Sequence, residues 1–510
     1  MNNSLNTFGR EFADALAVAV AKRDQGAVQA NDGEKLHVTG AGRTLTFAYE
    51  QLRNAAEYTE EHLLLTRAIR RFYRRAFLAR DDKVIARLGE ELIIELTLAG
   101  YLQNNSVRVT TVDAINALAS DYFKAHAQRL KEIWTLDVLV VEIERLLSAD
   151  PRRDVFAEFA YRHFSETIDP VKLFKVPPKD FEIELFVAVH RALLKSDAAT
   201  IRAALLARYQ QTPDMETYKA TNKMIDKVLD SSTTDRIYRV VNRRGAPLRV
   251  LRRFIDEHED INRLLLSREQ FLSAYEAQIQ TEYSQINQRI NRGIVKSVAF
   301  LFITKALIGL AIEVPYDIFV HGSILWTVLW INLLFPPVYM ILLRGTLRLP
   351  GSANSQALSD SIDALLYSDK KLVATGQPVR GYSVAFNIVY ALLIISVFGA
   401  AAYGLMQLGF SVLHLVIFFV FLSTASFLGF RLSRQIREIE VVDGGQDGVS
   451  MIRDFLYMPF VVVGRWISEK YARVNIVAMI LDMAIELPLK TILHLVRQWG
   501  NFITSKKDEL

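Results

Sequence analysis

Charge-free stretches dominate the last two-fifths of the chain. Neither Ile318 to Leu343 nor Tyr382 to Phe430 contains a Lys, Arg, Asp or Glu residue. A bilayer core about 30 Å thick requires about 20 apolar residues as an α-helix, so the first stretch is long enough for one span and the second for two. The second stretch contains Gln407-Leu408-Gly409 near its middle, where a turn between two spans is expected.

A further apolar segment, Ile294 to Ile312, precedes these stretches and carries Lys305 within it. It has the length of a span, although the charge weakens that interpretation. The pattern therefore predicts four spans, two within 294–343 and two within 382–430, joined by a loop over 344–381.

Basic residues flank one side of all four predicted spans. They are Arg289, Arg292 and Lys296 before the first span, Arg344, Arg348, Lys370, Lys371 and Arg380 after the second, and Arg431, Arg434 and Arg437 after the fourth. The short connections Glu313–His321 and Gly404–Leu413 contain no Lys or Arg. By the positive-inside rule, both termini are expected in the cytoplasm, in a multi-pass protein of the plasma (inner) membrane.

Residues 1–260 show helical rather than alternating periodicity, which predicts a large helical cytoplasmic N-terminal domain. Phe181, Leu185, Val189 and Leu193 recur along one stripe after Pro178, and similar spacing extends from Tyr49 to Ala79. A short β-hairpin is expected near 36–47, where two weakly alternating segments flank Gly40-Ala41-Gly42. The fold class is therefore mainly α, a polytopic α-helical membrane protein with a helical N-terminal domain.

Two further segments border the spans. Residues 261–293 are polar, with a narrow apolar seam typical of a coiled coil or bundle helix, so they predict a stalk that self-associates or packs on its own domain. Residues 431–510 predict a cytoplasmic amphipathic tail. Within it, Phe455–Val463 is too short to span, and Val474–Trp499 is expected to lie in the membrane interface or on the cytoplasmic domain.

Composition narrows the chemistry. The 510 residues include no Cys, which excludes disulfides, thiolate metal sites and a Cys nucleophile. A formal net charge of +5 is small for this length and argues against nucleic-acid binding. The sequence contains no GxxxxGK[ST], GxGxxG or HExxH motif. We therefore expect no catalytic, cofactor or metal site, and a protein that is not an enzyme.

Polar residues inside predicted spans are costly, so each is a candidate functional residue. These candidates are Lys305, Glu313, Asp317, Asn332, Asn387 and His414. One interpretation is a polar path for ions or a small solute. The alternative is that the lysine snorkels, the acids lie in the outer interface and the amides join helices. Since Lys305 and Glu313 are eight residues apart, a direct bond between them is not expected within one straight helix.

Two arginine-rich segments could contact phosphate. The candidate lipid-head-group contacts are Arg67, Arg70, Arg71, Arg74, Arg75, Arg252 and Arg253. Arginine suits bidentate phosphate binding, and lipid head groups are the nearest phosphates to a membrane-anchored domain. The alternative is a solvated face paired with the abundant Asp and Glu residues of the same region.

From these observations, the first functional hypothesis is a non-enzymatic membrane-anchored scaffold or interaction protein that acts at the cytoplasmic face. The second is an ion or small-solute transporter or channel component that uses the polar residues of the bundle. The expected partners are the lipid bilayer, anionic head groups and a second copy through the 261–293 helix.

Overall fold

The computed structural model describes residues 4–31, 33–38, 43–44, 46–47, 50, 64–79, 88–128, 130–148, 150–174, 176–368, 384–441 and 448–473. These residues are mainly helical and contain no strand, which confirms the predicted α class. An isolated β-bridge joins Lys35 and Arg108.

The α-helices of the described residues follow one another in chain order. They are α1 (Thr7–Asn31), α2 (Leu64–Ala79), α3 (Leu88–Leu98), α4 (Val109–Ala127), α5 (Leu136–Leu147), α6 (Pro151–Thr167), α7 (Pro170–Leu173), α8 (Phe181–Leu193), α9 (Ala198–Arg208), α10 (Tyr218–Leu229), α11 (Ser232–Arg244), α12 (Ala246–Glu257), α13 (Ile261–Leu265), α14 (Arg268–Ile308), α15 (Val314–His321), α16 (Trp326–Thr346), α17 (Ser352–Tyr367), α18 (Val384–Gln407), α19 (Val412–Arg437) and α20 (Gly448–Arg473). A 3₁₀ turn covers Glu132–Trp134, and a π-helical segment covers Gly309–Glu313.

The chain forms two compact units. The first, here called the helical unit, contains the described residues of Glu11–Glu166 and Val176–Val241. The second, here called the bundle unit, contains those of Met1–Arg10, Thr167–Lys175 and Asn242–Val474.

Helix α5 forms the centre of the helical unit. Its residues Leu136 to Val141 are buried except for Asp137, and α2, α4 and α9 pack around it. A helix that is apolar on nearly every side is stable only when neighbours cover it, which explains this central position. Of the predicted stripe on α8, Leu185, Val189 and Leu193 are buried, whereas Phe181 is half-buried.

The predicted hairpin near 36–47 is wrong for the described residues. Leu36 N–H donates to the Val107 carbonyl at 3.0 Å, and Val38 N–H donates to the Asn104 side chain at 2.9 Å. Residues 43–44 and 46–47 are helical. The extended segment therefore satisfies its backbone on the loop before α4, since a two-stranded hairpin is marginal without other partners.

Among the described residues, four helices are long and apolar enough to cross a membrane. They are the continuous stretch Arg268–His321, Trp326–Thr346, Ile388–Gln407 and Val412–Arg437. Large apolar side chains on their outer sides are exposed, for example Leu307, Phe319 and Ile395. Exposed apolar surface of this extent is typical of contact with a membrane or a protein.

Helix α14 joins the predicted stalk to the first candidate span without a break. The seam of the stalk lies inside its own chain, because Tyr275, Ile279, Tyr283, Ile286 and Ile290 are all buried. Helices α12 and α17 pack against α14, and Tyr275 donates to the Pro247 carbonyl at 2.8 Å. The seam is thus used for packing within the bundle unit.

Helix α20 lies beside the candidate spans. Phe460 packs against Phe398 of α18 and Phe419 of α19. A Cβ atom at Gly464 would clash with the Ser423 carbonyl oxygen, so the close approach of α20 to α19 requires glycine there. The segment Phe455–Val463, expected in a tail outside the bundle, therefore packs within it. The expected interfacial helix Val474–Trp499 lies outside the described residues.

Candidate functional site: a buried polar centre

Five of the six polar residues singled out in the predicted spans come together. We call Lys305, Glu313, Asp317, Asn332 and His414 the polar centre. Each side chain is at most 1% exposed, although the helices that carry them expose apolar residues on their outer sides. The sequence contained these positions, but their convergence is a property of the fold.

The segment from α14 to α15 places three of the five residues. Lys305 lies in the last turn of α14, Glu313 ends the π-helical segment, and Asp317 lies in α15. Helix α15 ends at Gly322, whose positive φ of 72° is readily adopted by glycine. Asn332 comes from α16 and His414 from the first turn of α19.

Lys305 and Glu313 form a direct ion pair between Nζ and Oε1. The expectation that they would not bond is therefore wrong. It assumed a straight α-helix, in which two turns take 7.2 residues and a separation of eight overshoots the same face. The π-helical turn at Gly309–Glu313 contains one residue more than an α-helical turn. Lys305 and Glu313, which are eight residues apart, are therefore related as residues about seven apart are in an α-helix. The Lys305 side chain consequently lies inside the bundle and does not snorkel.

Both oxygens of Glu313 have partners. Oε1 accepts from Lys305, and Oε2 accepts from the Asn332 side-chain amide at 3.0 Å. The same amide lies 3.5 Å from the His414 carbonyl oxygen. Asn332 thus connects the ion pair of the first candidate span to the start of the fourth. The phenyl ring of Phe421 covers the ammonium of Lys305 at 5.0 Å from the ring centroid.

Asp317 and His414 form the second pair of the centre. Asp317 Oδ1 lies 3.3 Å from His414 Nε2. Asp317 Oδ2 accepts from the Leu325 backbone N–H at 3.0 Å, and His414 Nδ1 lies 2.9 Å from the Ser411 hydroxyl. Asp317 Oδ2 and His414 Nδ1 are therefore held in place, and Asp317 Oδ1 and His414 Nε2 lie opposite each other.

Three buried atoms of the centre have no hydrogen-bond partner among the described residues: Asp317 Oδ1, His414 Nε2 and Asn332 Oδ1. An unsatisfied buried polar atom is unfavourable by about 1–3 kcal/mol. The centre therefore retains capacity to bind a donor or a proton.

Asn387 is the remaining polar candidate, and two prolines lie within the second candidate span. Asn387 lies in α18, and its side chain is outside the described part of the chain. Helix α16 continues through Pro336 and Pro337, both of which are buried.

Most of the arginine candidates form ion pairs within the chain. On α2, Arg70 pairs with Asp137 (3.0 Å), Arg71 with Glu50 (2.6 Å), Arg74 with Glu132 (3.2 Å) and Arg75 with Glu95 (2.9 Å). On α12, Arg252 pairs with Asp256 (3.2 Å) and Arg253 with Glu282. Arg67 lies half-buried on α2. These pairings favour the charge-balanced alternative over a site for lipid phosphates, although some of the pairs, such as Arg71–Glu50, are largely buried.

Burial affects the carboxylate opposite Arg70. Desolvation raises the pKa of Asp137, and the positive charge of Arg70 opposes that rise. Arg70 also lies 3.8 Å from Asp197, so one guanidinium serves two carboxylates. This arrangement occupies Arg70 with structural contacts.

Ser411 and Phe421 are members of the site that the sequence did not single out. Ser411 lies three residues before His414, a spacing that places both at the same side of the first turn of α19. The spacing of three residues could therefore have identified Ser411 from the sequence. The position of Phe421 over Lys305 depends on the packing of α19 against α14 and had no local signal.

Metal binding receives no support from the described residues, which contain no group of three or more His, Cys, Asp and Glu residues placed to hold a metal ion. Comparisons with protein-family models, with curated proteins and with solved structures found no match to this chain.

Proposed function

We propose that the chain is an integral membrane protein whose bundle unit carries an ion or a small solute across the membrane, with the polar centre as its binding site. The observation that supports this most is the complete burial of a Lys–Glu pair and an Asp–His pair between helices with apolar outer faces. The proposal includes no enzymatic reaction.

The candidate spans and their flanks support the proposed membrane setting. Exposed side chains such as Leu310, Phe319 and Val412 would be covered by lipid. The basic residues beside the spans favour the cytoplasmic side of the plasma (inner) membrane for the stalk half of α14. In that orientation, Lys305 lies deep in the membrane and Asp317 nearer the outer side.

The presence of buried ionisable side chains in the polar centre supports a functional role over a purely structural one. A buried ion pair is a poor way to stabilise a bundle, because the desolvation of both charges can exceed their attraction. Ionisable residues inside membrane segments characteristically mark ion and proton pathways. Three unpartnered atoms add binding capacity that helix packing alone does not need.

The experiment is a flux assay with the full-length protein in sealed proteoliposomes that contain a pH-sensitive dye. Ion gradients and a membrane potential are imposed in turn, and luminal pH and ion content are followed. The matched variants are Glu313→Gln in the centre and Asp363→Asn, which removes a carboxylate of α17 that is bonded to Arg268 at the start of α14.

We expect flux in the unchanged protein and in Asp363→Asn, and at least a tenfold loss in Glu313→Gln. Flux that Glu313→Gln leaves intact would overturn the role of the centre. The absence of flux under every gradient, in protein that remains folded, would overturn transport.

A membrane-anchored scaffold is the second candidate function. It is favoured by the amount of folded chain outside the candidate spans, including the charge-balanced helical unit with its own core around α5. A scaffold would show no flux, and cross-linking in native membranes would join exposed lysines such as Lys219 to one specific protein.

A further inference from the structure

We propose that the polar centre binds one exchangeable proton, held between Asp317 Oδ1 and His414 Nε2. The inference deepens the proposed function, because it identifies a proton as the carried or coupling ion. Proton binding can be measured without transport, so the two proposals fail separately.

The first argument is the charge of the centre. Lys305 contributes one positive charge, and Glu313 and Asp317 contribute two negative charges, so the centre carries a net charge of −1 when His414 is neutral. Every one of these side chains is at most 1% exposed. An uncompensated charge at such burial is strongly unfavourable, and one added proton makes the centre neutral.

The other groups near the pair do not supply this compensation. From α15, Tyr316 contributes an edge-on ring to His414 at 5.8 Å, and the exposed His321 lies beside Tyr316. Helix α16 contributes the uncharged amide of Asn332, and its Arg344 binds Asn287 and Asn291 of the stalk. The titratable and charged groups that face the pair are therefore Lys305, Glu313, Tyr316 and His321.

The second argument is that the hydrogen-bond partners are unevenly distributed among the oxygens and nitrogens of the centre, which indicates where the proton binds. Both Glu313 oxygens already accept hydrogen bonds, one from Lys305 and one from Asn332. Asp317 Oδ1 and His414 Nε2 have no hydrogen-bond partner, and they lie 3.3 Å apart. A single proton between them gives each atom a partner.

The third argument is that both groups are held ready by their other atoms. Asp317 is fixed by the Leu325 backbone N–H, and His414 by Ser411. The proton is therefore shared between a carboxylate and an imidazole whose other atoms are already bonded. A multivalent metal ion is disfavoured at the same place, since the ammonium of Lys305 lies in the centre and the described residues offer no three-ligand set.

The test is a pH titration of the full-length protein in lipid nanodiscs, followed by infrared difference spectroscopy of carboxyl groups and by ¹⁵N NMR of labelled histidine. We expect one carboxyl and one histidine signal to titrate together in the unchanged protein. Asp317→Asn should abolish the carboxyl signal and shift the histidine transition, and His414→Gln should shift the carboxyl transition. Asp363→Asn serves as the control and should leave both signals unchanged.

Independent titration of the two signals, or the same titration in Asp317→Asn and His414→Gln, would overturn the inference. Circular dichroism of each variant verifies the fold. If Asp317→Asn does not fold, the coupled titration in His414→Gln still decides the question. Coupled titration without flux would overturn transport only, whereas flux without coupled titration would overturn the proton site only.

Discussion

Arg202, Asn222 and Asp226 of the helical unit form a second set of buried polar residues, here called the Arg202 cluster. The polar centre of the bundle unit contains similar groups but differs in how their charges are compensated. In the polar centre, a lysine, two carboxylates, an amide and a histidine contact mainly one another and apolar rings. In the Arg202 cluster, Arg202 is 3% exposed and binds Asn222 at 2.8 Å and Asp226. Asp226, however, is 24% exposed and also accepts from Lys131 and Trp134.

The difference lies in access to water. Burial alone would raise the pKa of Asp226, but hydrogen bonds from Arg202, Lys131 and Trp134 outweigh it, and the pKa is lowered. Its charge is thus well compensated and partly hydrated. The side chains of the polar centre are at most 1% exposed and so are not hydrated in this way. Loss of one charged member should therefore leave a charge that neither protein nor water compensates.

The largest effect is expected from breaking the Lys305–Glu313 pair. Lys305→Met should lower the free energy of unfolding by about 3–5 kcal/mol, because it leaves a buried carboxylate without its cation. The double variant with Glu313→Gln should recover most of that loss. Unfolding in mixed detergent, followed by circular dichroism, measures both.

Lys296→Met is the control for this pair, since Lys296 lies exposed on the same helix. It should change stability only slightly. Equal destabilisation by Lys305→Met and the double variant would show that the lysine stem, and not the charge, is what the bundle needs.

A smaller effect is expected in the Arg202 cluster. Arg202→Met removes the bonds to Asn222 and Asp226, but Asp226 keeps Lys131, Trp134 and water, so the total loss should be about 1.5–3 kcal/mol. Amide exchange of α9 and α10 should accelerate accordingly. Lys219→Met, at an exposed position of α10, is the control. A loss as large as that of Lys305→Met would remove the distinction between the two regions.

A buried histidine gives the helical unit a dependence on pH. Burial lowers the pKa of His190 to about 3, with Arg153, Arg145 and Arg208 acting in the same direction. The unfolded chain binds the proton near pH 6.5, so the stability from neutral His190 is present above that value and is lost as pH falls towards 3.

Between pH 7 and pH 5, the resulting loss is about 2 kcal/mol, at about 1.4 kcal/mol per pKa unit. His190→Leu should remove this part of the acid sensitivity, as measured by amide exchange of α8 at both pH values. The same substitution at the exposed His37 should leave it. An unchanged pH dependence in His190→Leu would refute this assignment.

The smallest effect is expected at the surface of α2. Arg74 and Glu132 are 66% and 44% exposed, so Arg74→Ala should change stability by less than about 1 kcal/mol. Raising the salt concentration should reduce even that difference, because the pair is screened. Thermal unfolding at low and high salt measures it. A larger change that salt does not affect would mean that packing of the arginine stem dominates.

Periodicity and composition predicted much of the fold. The helical class, the α8 stripe and four candidate spans follow from apolar spacing, because burial on one face or in lipid imposes it. The hairpin failed because backbone groups of Leu36 and Val38 found partners 66 to 71 residues away, which no local pattern encodes.

The members of the polar centre could be identified from the sequence because charges within spans are rare. Their pairing could not. The Lys305–Glu313 bond depends on a π-helical turn that departs from the assumed helical repeat. The Asp317–His414 contact joins residues 97 positions apart through the packing of separate helices.

The course of α20 has a consequence for sidedness. Tyr457 donates to the Ser426 carbonyl, whereas Gly464, further along α20, meets the earlier Ser423, so α20 runs back towards the Val412 end of α19. In the proposed membrane setting, whether α20 passes through the bilayer, more than the hydropathy of any one helix, decides the side reached at Arg473. Because the chain has no cysteine, single thiols introduced at Glu440 and Arg473 would report the two sides against a blank background.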